Sequence, residues 1–212
     1  MAGRLAFFGG EHTEEALLIG WICLLAHSLF LPLLALVPAL GYLIAVVRAT
    51  LTERPRLPPV SLRASLSEGF AASSICLLYG LVPLSVGAIT ITLATETTID
   101  PAGGASILFL TGSTVTLFIV LAGLYFLPIA LCRYSTEGLR EALPDPSLVR
   151  AGTHAAYFVG WTSALVLFGV GWFAGGVIEL LPLAGPVLAP LVWWCVALGA
   201  TRRVAGAYGV TR

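Results

Sequence analysis

Between Ala16 and Val47 the chain runs for 32 residues without one formally charged side chain, and four more long apolar stretches follow. A soluble domain of this size has no use for so much uninterrupted apolar sequence. A bilayer demands it, because about 20 apolar residues in a helix cross roughly 30 Å of hydrocarbon. The chain therefore reads as an all-α integral membrane helical bundle. Only 10% of its 212 residues are charged, against about a quarter in soluble proteins, and the mean hydropathy is +0.97. The formal net charge is zero, which gives nucleic-acid binding no footing. Once the apolar stretches are set aside no soluble domain remains, so residues 1–212 read as a single membrane domain. The N-terminus lacks the features of a signal peptide: one Arg stands in the first ten residues, and acidic Glu11, Glu14 and Glu15 precede the first apolar run.

Five hydrophobic regions are expected, at about 16–47, 70–94, 105–132, 154–178 and 186–201. The middle three are each long enough for one crossing. The last is short as counted and gains length from Thr201 onward, or from residues 180–185 if these join it. The first would be about 48 Å long as one straight helix. Pro32 and Pro38 interrupt it, with Gly41 just after, and a proline removes a donor and kinks a helix. It is either one tilted, broken helix or two shorter helices in a hairpin or re-entrant element; the two-piece reading is preferred. Five to six membrane helices result.

Arginine placement orients the bundle. Arg48, Arg54, Arg56 and Arg63 lie between regions one and two, Arg133, Arg140 and Arg150 between three and four, and Arg202, Arg203 and Arg212 after the last. The intervening loops carry only Glu96, Asp100 and Glu179. By the positive-inside rule the Arg-bearing loops and the C-terminus are cytoplasmic in a cell membrane. The N-terminus joins them if region one crosses twice or re-enters.

The plan recurs along the chain. An apolar region ending at Arg48 leads through a Pro-containing loop to Ser61-Leu62-Arg63, and one ending at Arg133 leads through Pro144-Asp145-Pro146 to Ser147-Leu148-Val149-Arg150. This predicts a parallel repeat, with units at about 16–94 and 105–178 and a partial third at 186–209. Leu62, Leu66 and Phe70 fall on one helical face, and Ser65 and Glu68 have capping-box spacing; Leu139 and Leu143 echo them. These segments read as amphipathic interfacial helices in the headgroup region, or as a surface for a protein partner. The lipid-interface reading is the simpler. Membrane lipids are the expected partners, beside a protein partner or a second copy of the chain.

Candidate chemistry is sparse. His27 is an ionisable side chain within an apolar run, and such residues invite a functional hypothesis. The carboxylates Glu96, Asp100 and Glu179 would form a shared external site if their loops converged. The cysteines, Cys23, Cys76, Cys132 and Cys195, are too dispersed for a ligand set and read as small packing residues. Gly171 and Gly175 form a GxxxG suited to close helix contact. No catalytic motif occurs, and neither a cofactor nor a metal site is expected.

Several short motifs, taken in order, resemble those of a family of archaeal, largely haloarchaeal, multi-pass membrane proteins that share domain of unknown function 4013. They are Glu14-Glu15-Ala16-Leu17-Leu18-Ile19-Gly20, Leu40-Gly41-Tyr42, Val46-Val47-Arg48, Leu57-Pro58, Glu68-Gly69-Phe70 and Tyr79 with Pro83. Pro128-Ile129-Ala130-Leu131-Cys132-Arg133-Tyr134 and Arg203 with Gly206-Ala207-Tyr208-Gly209 complete the set. The family often has a tryptophan and acidic residues after the first Leu-Pro, where this chain has Pro59-Val60-Ser61. The resemblance implies a membrane fold in an archaeal plasma membrane and brings no catalytic residues. The leading expectation is a non-enzymatic accessory or scaffold component with a cytoplasmic-face interaction surface. The alternatives are a small transporter or permease subunit working through His27, and a membrane-embedded lipid-processing enzyme working through the three carboxylates.

Overall fold

The computed structural model of the chain describes residues 12–30, 33–54, 56–96 and 104–211. These fold into helices α1 (Thr13–Leu29), α2 (Leu36–Leu51), α3 (Leu62–Glu96), α4 (Gly104–Glu137), α5 (Pro146–Gly152), α6 (Ala155–Glu179) and α7 (Gly185–Gly209), with a 3-10 turn at Leu139–Ala142. Four of them, α3, α4, α6 and α7, are long and apolar enough to cross a membrane. Their outward faces are apolar and exposed, as lipid contact requires. The chain is a multi-pass all-α bundle.

Region one is two helices. At 17 and 16 residues, α1 and α2 are each about 25 Å long. Pro38 does not cause the break: it lies in the first turn of α2, where a backbone N–H has no partner in any case. Pro32 lies outside the described residues. The chain turns through Leu33, whose φ of 74° is left-handed. The indole of Trp194 on α7 donates to the Ala16 carbonyl at 2.9 Å, and Trp21 donates to the Val187 carbonyl at 2.7 Å. Rising residue numbers on α1 thus meet falling ones on α7. The Tyr42 ring stands 6.2 Å from Trp194 and Arg202 reaches Thr50, so α2 runs with α7. The two short helices form an antiparallel hairpin packed on α7.

Other boundaries shift as well. Residues 62–70 are no separate interfacial helix; they are the first turns of the 35-residue α3, so Ser65 and Glu68 lie inside a helix and do not cap one. Leu62, Leu66 and Phe70 are exposed on it. The second connection is broken into the 3-10 turn and the seven-residue α5. The last region gains Gly185 at its start and grows mainly at its C-terminal side, through Gly209, while residues 180–184 turn through Leu183 (φ 64°).

Close contacts are built on glycine. A Cβ on Gly41 would collide with the Ser65 carbonyl, and one on Gly69 with the Val37 carbonyl, so α2 and α3 cross backbone to backbone. Gly171 and Gly175 receive Val196 and Trp193 of α7, which makes the GxxxG an intrachain α6–α7 contact. Gly20 receives the ring of Trp194. Proline supplies the remaining geometry. Pro128 inside α4 deprives the Leu124 carbonyl of its i+4 donor. The Trp161 indole on α6 donates to that carbonyl at 3.1 Å, and the Tyr157 hydroxyl donates to the next one, Tyr125, at 2.7 Å. A released backbone acceptor thereby becomes an interhelical bond, as the absence of water requires.

Two outcomes follow for unfolding in mild detergent. Gly41→Ala and Gly69→Ala should each cost about 2 kcal/mol or more, because backbone must move, whereas Gly80→Ala, where a Cβ meets nothing within 4 Å, should be neutral or stabilising. Trp161→Phe should cost about 1–2 kcal/mol and distinctly less in a Pro128→Ala background, where the Leu124 carbonyl regains an amide donor.

Candidate functional site

The C-terminal ends of α2, α4 and α7 and the start of α3 gather at one end of the bundle with most of the described arginines. Arg48 bridges two helices there: its Nη2 donates to Glu68 Oε1 at 2.9 Å and its Nε to the Ser135 carbonyl at 2.8 Å. The second Glu68 oxygen is buried, with Tyr134 alongside. Arg202 donates through Nη2 to the Arg54 carbonyl at 2.8 Å, and Arg203 to the Ser163 carbonyl at 3.1 Å.

Arg133 is the centre of this end. Its side chain is only 7% exposed, and a buried guanidinium is costly unless fully paired. Nη1 and Nη2 grip the two oxygens of Asp145 at 2.6 and 3.1 Å, while Nη2 also meets Glu141 at 2.9 Å. Local chemistry places Asp145. It is the N-cap of α5, with Pro146 next, and its Oδ1 accepts from the Leu148 amide at 2.9 Å while Ser147 donates to it. Pro fits the first helical position because its missing N–H has no partner there anyway. The Arg133 guanidinium, and then the Leu148 amide, hold the Asp145 carboxyl well below the usual range. Arg133, Ser147, Arg150, His154 and Tyr208 line a polar cleft of about 230 Å³ beside this pair.

His27 sits in the last turn of α1, and its Nδ1 accepts a hydrogen bond from the Leu33 amide at 3.1 Å. It closes the turn whose backbone the break sets free. It also lines a cavity of about 380 Å³ with Phe168, Trp172 and Trp193. Glu179 ends α6, far along the chain from Glu96, which ends α3 with only its backbone described; Asp100 lies outside the described residues. Among the described residues no three His, Cys, Asp or Glu side chains gather as a metal site. None of the four cysteines is in a disulfide, and Cys23 and Cys132 are buried.

The Arg133 network was not anticipated from the sequence, which marks Arg133 only as a topological charge. The available signal was Pro144-Asp145-Pro146-Ser147, an N-cap pattern whose aspartate falls 12 residues after that arginine.

Residues 24–180 match the family model described as protein of unknown function, DUF4013. No curated protein matches the chain, and no solved structure does.

The ion triad should make stability fall with acid. An aspartate whose folded value is depressed contributes fully above its unfolded value near 4, and that contribution is lost as pH falls through the lower folded value. The unfolding midpoint should therefore be flat near neutrality and drop below about pH 4. Asp145→Asn should lower it at pH 7 by about 2–6 °C, and adding Arg133→Met should recover part of the loss, since the arginine left behind is then absent.

Proposed function

The chain belongs to the DUF4013 family of proteins of unknown function, and from that premise we propose that it is a non-enzymatic accessory or scaffold component of the cell membrane. The observation that supports this reading most is what the residues of the family resemblance do. Gly20 receives Trp194, and Gly41 and Gly69 make the α2–α3 crossing. Tyr42 and Tyr79 donate to the carbonyls of Pro58 and Ala142. Arg48 and Arg133 engage Glu68, Glu141 and Asp145. All of these hold the bundle together, and none forms a catalytic constellation. Leu62, Leu66, Phe70, Leu139 and Leu143 remain exposed, and in this reading they form the partner surface.

By the positive-inside rule this end is cytoplasmic. The α1–α2 hairpin then enters and leaves from that side, and both termini are cytoplasmic. The parallel repeat, with units at about 16–94 and 105–178 and a partial third at 186–209, gains support from Arg48 and Arg133. Each closes an apolar helix and pairs with carboxylates carried by the segment that follows. Transport through His27 is the weaker reading: the histidine does line a cavity, but its walls are apolar and aromatic.

Gentle extraction from the native membrane tests the proposal. A protein should co-purify in stoichiometric amount and be lost when Leu62, Leu66 and Leu139 are replaced by serine. A chain that always purifies alone would refute the partner surface. Protease protection of terminal tags should place both ends on the cytoplasmic side, and opposite sides would overturn the hairpin topology.

A further inference from the structure

The cavity of about 380 Å³ between the α1–α2 hairpin and α6–α7 has the size of a small-molecule site and a composition that narrows its ligand. Its lining holds no charged side chain, so neither an anion nor a cation is matched there. One wall is a ladder of rings. Phe168 and Trp172 stack with centroids 6.3 Å apart and 26° between planes, and Trp172 and Trp193 at 5.4 Å and 18°. Trp193 is held in place because its indole edge lies over Gly175. The wall is therefore aromatic and apolar, which suits a flat, uncharged guest.

The polar contribution has a fixed sense. His27 Nδ1 accepts from the Leu33 amide, so the neutral imidazole carries its proton on Nε2 and is a donor there. The neighbouring Ser28 hydroxyl already donates to the Leu24 carbonyl at 3.0 Å. The site thus supplies an N–H to a neutral oxygen acceptor. Leu40 and Leu43 line this cavity and also a second apolar one of about 210 Å³, bounded further along by Val47 and Leu131. A hydrocarbon chain lying along Leu40 and Leu43 would lead away from the rings.

We propose that this cavity binds an isoprenoid quinone, with its ring against Trp172, a carbonyl oxygen accepting from His27 Nε2 and its tail running past Leu40 and Leu43. The proposal concerns binding alone and is independent of the partner surface.

The test uses the full chain in quinone-free phosphatidylcholine nanodiscs with decylubiquinone as the probe. About one equivalent should be retained per chain above protein-free discs, and decylbenzene, which lacks the carbonyls, should not displace it. Ala197→Phe, which fills the cavity without touching the histidine, should abolish retention. His27→Phe should weaken it about five- to tenfold, the loss of one hydrogen bond. Circular dichroism of both variants confirms the fold; should His27→Phe unfold, Trp172→Leu takes its place, with the same loss expected. Retention no greater than in empty discs, equal displacement by decylbenzene, or indifference to Ala197→Phe in a folded chain would each overturn the proposal.

Discussion

Away from water, a backbone carbonyl or amide released by a proline or a turn must find its partner on another part of the protein, and this bundle is arranged around that requirement. Pro128, inside α4, leaves the Leu124 carbonyl without its i+4 amide; Trp161 of α6 donates to it, and the two helices are tied there. The α1–α2 turn frees the Leu33 amide, and His27 receives it. Trp21 and Trp194 bond carbonyls across the α1–α7 contact. In the first two cases a side chain that looks functional in isolation is satisfying a main-chain group. Pro128 thus marks a place where α4 and α6 are joined.

A second constraint concerns charge. Arg133 is buried near the C-terminal end of α4, and its cost is offset by a two-pronged grip on Asp145 with Glu141 alongside. Asp145 is itself held by the first turn of α5. The loop after α4 is consequently anchored at its far end. Arg48 acts similarly between α3 and α4, though more openly. The α4–α6 contact itself is made nearby by Trp161 and Tyr157 on the carbonyls of Leu124 and Tyr125.

The crossing helices were legible because apolar length is a one-dimensional property. Regions at 105–132 and 154–178 reappear as α4 and α6 with small changes at their ends. The break in region one was legible too, but not all of its geometry. Pro38 falls where a helix tolerates it, and the turn needs Leu33 in a left-handed conformation, which nothing about leucine announces. The capping-box spacing at Ser65 and Glu68 misled for a related reason: Glu68 is held by Arg48, 20 residues earlier. Contacts between segments distant in the chain have no period and no motif. The role of His27 depends on a six-residue turn, and the GxxxG of α6 reads as a contact without naming α7 as its recipient.

The order in which the Arg133 grip is assembled gives that residue a history. Glu141 and Asp145 follow it by 8 and 12 residues, so at about 5–20 residues per second its partners are synthesised on the order of a second later. Until then Arg133 is a bare positive charge at the end of a nascent apolar segment, the state in which a charge directs insertion. Only once Asp145 is made can the guanidinium take up the pairing of the folded chain. The loop that follows Arg133 therefore sets the moment at which its charge is matched.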